Sequence, residues 1–177
     1  PPPPPPPPPP TLFQAEDGIR DFLLSLVGSE MCIRDRDCWG RMAPEAFIQI
    51  GDFFKLSLAA AAKRGFGHIT LAVFFGKALK MAQGVPHTHA AKSSLTLDRL
   101  SGWTLEITKN SELSQTVSSA NTARHAFEIL HEHHPEVISH VGQLIVKSAK
   151  RFTGLKTKIR SIIFDYDGKV VFDSENQ

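Results

Sequence analysis

FIQIGDFFKLSLAAAAKRGFGHITLAVFFGKALKMAQGVPHTH, residues 47–89, is the stretch whose reading decides the fold. Phe47–Ile50 is a short apolar run that stops at Gly51-Asp52, a strand followed by a turn. Phe54, Leu58, Ala61 and Ala62 then recur at helical spacing, and Lys63-Arg64-Gly65 supplies a basic last turn and a stop. Ile69–Phe75 is a second apolar run ending at Gly76-Lys77, with Leu79, Met81 and Ala82 continuing as helix until Gly84. Strands that end in glycine and pass straight into helices are the pattern of a parallel α/β sheet. Ligands of such sheets sit at the strands' carboxyl ends, beside helix N-termini with free N–H groups. The sequence therefore predicts an α/β fold, a partial parallel sheet with flanking helices. Its site is expected at Gly51-Asp52, Gly76-Lys77 and the His87-Thr88-His89 loop.

Three pieces of this stretch, IQIGDF (48–53), GKALKMAQG (76–84) and HTH (87–89), resemble the C-terminal half of the cobalt-precorrin-5B (C-1)-methyltransferases. The matching positions are Gly51, Asp52, Phe53, Gly76, Lys77, Leu79, Lys80, Ala82, Gly84, Thr88 and His89, whereas Ala78 and Pro86-His87 depart from the family pattern. Ala120–Arg124 and the FDYDGKVV segment (164–171) continue the resemblance in order, from about Ala43 to Val171. The resemblance implies methyl transfer from S-adenosylmethionine to C-1 of a cobalt-corrinoid in cobalamin biosynthesis. It places Gly51, Asp52, Gly76 and Lys77 against the methyl donor, and Lys80, His87, Thr88, His89 and Asn121 against the substrate. No catalytic residue is assigned, because such a displacement mainly needs aligned reactants. The family's Gly-Thr-rich loop and N-terminal domain have no counterpart here, so the resemblance implies an incomplete and inactive fragment.

The front of the chain reads differently. Pro1–Pro10 is a homopolymer with polyproline II character. QAEDGIRD (14–21) is the translation of CAA GCA GAA GAC GGC ATA CGA GAT, a short-read flow-cell adapter. LVGSEMCIRD (26–35) is CTC GTG GGC TCG GAG ATG TGT ATA AGA GAC, a transposase-library adapter. Residues 1–36 are accordingly read as non-native, disordered or an isolated helix, and residues 37–177 as the C-terminal α/β part of the methyltransferase. The alternative is a proline-rich linker before an amphipathic helix, with Ile19, Phe22, Leu23 and Leu26 on one face.

Composition bounds the rest. Three of the 20 Lys and Arg and five of the 18 Asp and Glu lie in the first 36 residues, so the remainder carries a formal +4. All eight histidines fall in that remainder, which has a length suited to one domain with a core. Cys32 belongs to the adapter reading and Cys38 stands alone, giving neither a disulfide framework nor a CxxC metal signature. The longest apolar run, Ile69–Phe75, is far below the roughly 20 residues of a membrane span. A cytoplasmic setting is expected, with no nucleic-acid or membrane partner, and homo-oligomerisation is left open.

After the decisive stretch, Leu95, Leu97, Leu100, Trp103 and Ile107 mark a helix stripe better read as packing than as a ligand platform. Residues 111–119 form a short capped helix or a loop. Asn121 or Thr122 caps a helix through Ala126 and Phe127, and Pro135 opens a longer one ending at Gly154. Residues 156–164 and 169–172 read as strands of a C-terminal β-hairpin about Asp167-Gly168.

Rival chemistries are weighed on the same residues. His87 and His89 lack a third ligand for a metal, and donating to corrinoid carboxylates is the better use. A plain loop is the blander alternative. His131-Glu132-His133-His134 precedes Pro135, where a helix C-terminus favours imidazolium over a metal. Lys77 and Lys80 suit a polyanion or a solvated helix face, and Asp52 a ligand hydroxyl or amino group or an N-cap. The basic run Lys147–Arg160 has no nucleic-acid motif and reads as a solvated face. IIFDYDG (162–168) resembles a haloacid-dehalogenase-type phosphatase motif, with Asp165 as nucleophile and Asp167 as acid, but nothing downstream completes it. The other alternative class is a non-catalytic α/β ligand-binding or oligomerisation module.

Overall fold

The computed structural model of the chain describes residues 24–27, 47–89, 93–154 and 156–176, with the side chains of 24–27 and 93–95 left aside. Cys32, Cys38 and most of residues 1–36 lie outside the described residues. Five strands, β1 (Leu24–Val27), β2 (Phe47–Gln49), β3 (His68–Phe74), β4 (Lys158–Phe164) and β5 (Val170–Asp173), form one sheet in the order β2-β1-β3-β4-β5. The first four run parallel and β5 is antiparallel to β4. Six helices complete the described fold: α1 (Phe54–Lys63), α2 (Phe75–Ala82), α3 (Ser93–Thr108), α4 (Ser111–Ser118), α5 (Ala123–Leu130) and α6 (Pro135–Thr153). The partial parallel sheet with a C-terminal hairpin is thus the observed architecture.

β3 is buried along most of its length because, as a strand with paired neighbours on both edges, it presents apolar side chains to two faces. Ile69, Leu71 and Val73 join the main core under the helices, while Ala72 joins a second cluster with Ile162 and Phe164. The main core is filled by Phe54 and Leu58 of α1, Phe75, Leu79 and Met81 of α2, and the long apolar side of α6. That side follows helical spacing, with Val137, Ile138, Val141, Ile145 and Ala149 buried. α6 starts with Pro135 in its first turn, where the missing N–H costs nothing, and stops at Gly154 with φ +82°. Ser148 of α6 donates to the Ala82 carbonyl at the end of α2 (3.0 Å), supplying one orphan helix-terminal acceptor with a buried partner. Residues 111–118 form the helix that the sequence left undecided, capped by Asn110, whose side chain accepts from the Leu113 N–H.

Two expectations are corrected. Leu24–Val27 is a strand between β2 and β3, not a helical or disordered piece. The β2–α1–β3 crossover leaves an open position between its two strands. LSLV can be extended there, and parallel pairing recruits it through backbone groups alone. Gly76 is likewise not a turn glycine: β3 ends at Phe74 and α2 begins at Phe75, so Gly76 lies in the helix's first turn.

Gly142 illustrates how closely the hairpin packs on α6. A Cβ built there would lie 2.1 Å from the Phe172 ring. Gly142→Ala is expected to lower stability in urea denaturation by about 2 kcal/mol, the range for overpacking a core. Gly102→Ala, at an exposed α3 position with nothing within 4 Å, should instead raise it by about 0.5–1 kcal/mol.

Candidate functional site

The carboxyl end of β2 turns sharply. The Phe53 N–H donates to the Ile50 carbonyl (3.0 Å), and Gly51 takes φ +52°, a left-handed conformation that side chains disfavour. The turn presents the Gly51 carbonyl and the Asp52 carboxylate to α2. Lys77 donates to that carbonyl at 2.9 Å and lies 3.4 Å from Asp52 Oδ1. Thr88 donates twice to Asp52, from Oγ1 to Oδ1 (3.1 Å) and from its N–H to the carbonyl (3.0 Å). Lys80 donates to the Thr88 carbonyl (3.0 Å), and the Lys55 N–H in the first turn of α1 donates to the Pro86 carbonyl (3.1 Å). The loop 85–89 is therefore fastened to the β2 tip and the start of α1.

Gly51, Asp52, Lys77, Lys80 and Thr88 thus meet in one network. His87 and His89 are exposed on the same loop, His87 in edge contact with Phe53 at 5.2 Å between centroids. Burial acts on Asp52 to raise its pKa, but the Thr88 hydroxyl and the Lys77 ammonium outweigh it and hold the carboxyl below its ordinary value. Both lysines have partners within the fold, so in this structure they staple the loop to the strand tip.

Gly76 belongs to a neighbouring cluster on the same helix turn. A Cβ built there would lie 3.5 Å from the Ala123 Cβ and 3.8 Å from the Tyr166 hydroxyl, both ordinary contacts. Tyr166 stacks on Phe74 (6.0 Å), meets Phe127 edge-on (5.7 Å) and carries the Arg124 guanidinium 4.9 Å from its ring centroid. Burial raises the Tyr166 pKa above its ordinary value, with Arg124 and the Gly76 N–H pulling the other way. Asn121 is exposed just before Thr122, which caps α5 by accepting from the His125 N–H (3.1 Å). Nothing in the local sequence singles out Tyr166 or Arg124 as a site residue. Only their places in the FDYDGKVV and Ala120–Arg124 segments marked them.

The rival chemistries fare differently. Asp165 Oδ1 accepts from the Asp167 N–H (2.9 Å) and the Lys169 N–H (2.7 Å), so the proposed phosphatase nucleophile closes a hairpin whose Gly168 has φ +86°. His131 stacks on Phe127 at 4.8 Å and His134 contacts Glu136 at 3.1 Å, as expected of a helix junction. Among the described residues, no three His, Cys, Asp or Glu side chains gather as a metal site. No helix among them is long and apolar enough to cross a membrane.

Residues 87–175, half of the chain, match the family model described as CbiD, C-terminal domain. The chain belongs to the CbiD family. Among curated proteins it is similar to the cobalt-precorrin-5B C(1)-methyltransferase of Nitratidesulfovibrio vulgaris, 36% identical over 129 residues covering 70% of this chain and 32% of the relative. The protein of that name in Pelobacter propionicus is 32% identical over 131 residues (73% of this chain, 33% of the relative). That in Leptospira borgpetersenii is 30% identical over 132 residues (74% and 36%). The chain therefore spans about a third of the length of these relatives. No solved structure matches it.

The Asp52 network sets a pH dependence. A carboxyl whose folded pKa is depressed adds stability above its unfolded value and loses it as pH falls through the folded one. Hydrogen-exchange protection of the Thr88 N–H should hold at neutral pH and decline below about pH 4. Asp52→Asn should flatten that decline.

Proposed function

We propose that this chain is the C-terminal part of a cobalt-precorrin-5B C(1)-methyltransferase and forms one wall of its active site at the carboxyl ends of β2, β3 and β4. The observation that carries the reading is the meeting of Gly51, Asp52, Lys77, Lys80 and Thr88 in one network, with exposed His87 and His89 beside it. The membership of the CbiD family and the names of the relatives support it. Residues 1–36 are proposed to be foreign to this domain, on the strength of the two adapter translations in register. A cytoplasmic setting goes with the proposed biosynthetic role.

S-adenosylmethionine, as the methyl donor, supplies a methyl group already activated by its sulfonium. What remains for the protein is alignment and exclusion of water. Asp52 is suited to a ribose hydroxyl or the donor's amino group, because its carboxylate stays ionised at the strand tip and retains exposure. Gly51 and Gly76 let the backbone approach the donor. A corrinoid carries anionic acetate and propionate arms, and His87, His89 and the ammonium groups of Lys77 and Lys80 offer donors and positive potential to them. Thr88 and the two lysines also fix the loop, so the imidazoles are presented from a braced segment. Asn121, exposed just before the Thr122 cap of α5, is assigned to the substrate as well.

Titration of the full chain with S-adenosylhomocysteine, followed by amide chemical shifts, tests the reading. Shifts confined to Gly51, Asp52, Gly76 and the His87–His89 loop are expected, with Asp52→Asn weakening binding about tenfold. No saturable binding, or binding elsewhere, would favour the non-catalytic α/β module instead. The chain alone is expected not to methylate a cobalt-precorrin, and turnover would refute its proposed incompleteness.

A further inference from the structure

One charged group at the strand tips is not committed to the fold. Arg124 is the second residue of α5, beside the first turn of α2, where a Cβ on Gly76 would lie 3.5 Å from the Ala123 Cβ. Its side chain is 63% exposed. The guanidinium carbon lies 4.9 Å from the centroid of the Tyr166 ring, a cation–π contact. Nε donates to Glu128 Oε1 at 3.1 Å. Nη1 and Nη2 have no partner among the described residues. The face of the guanidinium and one edge atom are therefore in use, and its end-on fork of N–H groups is open.

Tyr166 gives that fork a fixed platform. Its ring stacks on Phe74 of β3 at 6.0 Å and meets Phe127 of α5 edge-on at 5.7 Å. Burial raises its pKa, so the phenol stays neutral and leaves the guanidinium charge uncancelled. A planar cation already laid on a ring loses less freedom when its N–H groups are bound. Glu128 occupies Nε alone, and an exposed pair four residues apart on a helix contributes little to stability.

An open guanidinium fork fits a group with two coplanar, negatively charged acceptor oxygens, which is the geometry of a carboxylate. Both ligands of the proposed reaction carry one: the methyl donor at its amino-acid end and the corrinoid on its acetate and propionate arms. Arg124 also stands in the right place. Gly76, which adjoins its cluster, is followed in α2 by Lys77, whose ammonium reaches Gly51 and Asp52.

We infer that Arg124 binds a carboxylate of a ligand at the proposed methyl-transfer site, with Tyr166 as the residue that positions it. The inference rests on the proposed function, which is what brings carboxylate ligands to this end of the sheet.

The test is calorimetric titration of the full chain at fixed ionic strength with S-adenosylhomocysteine in one arm and dicyanocobyrinic acid in the other. Dicyanocobinamide, whose arms are amides, serves as the uncharged reference. Arg124→Gln should weaken binding in one arm about tenfold, and the arm affected identifies whose carboxylate is bound. Arg124→Lys, which keeps the charge without the fork, should weaken the same arm, and neither change should alter dicyanocobinamide binding. Tyr166→Leu removes the platform and should weaken that arm severalfold, whereas Tyr166→Phe keeps the ring and should leave it unchanged. Lys150→Gln makes the same change of net charge beside the first residues of β3 and β4, at the other end of the sheet, and should have no effect. Binding that neither arm loses on Arg124→Gln, or a loss shared equally with dicyanocobinamide, would overturn the inference and leave the proposed function standing. No binding by the unaltered chain in either arm would overturn both.

Discussion

The arrangement at the strand tips depends on one lysine reaching across a gap. β2 and β3 belong to one crossover yet are not neighbours, since β1 lies between them. Their axes are therefore separated by two strand spacings, about 10 Å, too far for any backbone hydrogen bond. Lys77, on the helix that leaves β3, spans that distance with its flexible stem and delivers its ammonium to Gly51 and Asp52 at the tip of β2. Thr88 and Lys80 close the same gap from the loop side. Without these contacts the two β-to-α junctions would share an end of the sheet but not a site.

This arrangement alters what the charges mean. A lysine at a strand tip is easily read as waiting for an anionic ligand, yet Lys77 and Lys80 already donate to main-chain carbonyls. A hydrogen bond to a neutral carbonyl does not cancel an ammonium charge, so the positive potential of Lys80 persists at the strand tips, while that of Lys77 is offset by Asp52 at 3.4 Å. The structural and electrostatic roles are compatible, and the first makes the second durable. By contrast His87 and His89 are exposed, and the Arg124 guanidinium, paired with Glu128, rests on the face of Tyr166. Groups such as these can exchange partners with an incoming ligand without loosening the loop.

Much of this was legible in the residues because periodicity is local. The apolar spacing of α6, Pro135 at its start, Gly154 at its end and the Asp167-Gly168 turn each carry their own signal within a few positions. Gly51 behaves as its neighbours suggested, with positive φ at a strand end, whereas Gly76 does not. The difference is the pair of phenylalanines before Gly76. Phe74 ends β3 and Phe75 already faces the main core as the first helical residue, so the bend falls one residue earlier and Gly76 is left inside a turn of helix. Tyr166 was harder to find. Its partners Phe74, Gly76, Arg124 and Phe127 come from β3, α2 and α5, and no local pattern encodes such a meeting.

Strand order is the least local property of all, and β1 shows why. Leu24–Val27 lies outside the residues matched to the family model, yet it pairs with β2 on one side and β3 on the other. Parallel pairing is made by N–H and C=O groups that every residue except proline offers, so the position between β2 and β3 selects for extension more than for identity. An unfilled position would leave two strand edges facing each other with their backbone groups unpaired, a costly state for the interior of a sheet. A short run such as LSLV answers that need wherever it comes from. The strand between β2 and β3 is accordingly held by chemistry common to all polypeptides, which carries no mark of a particular family.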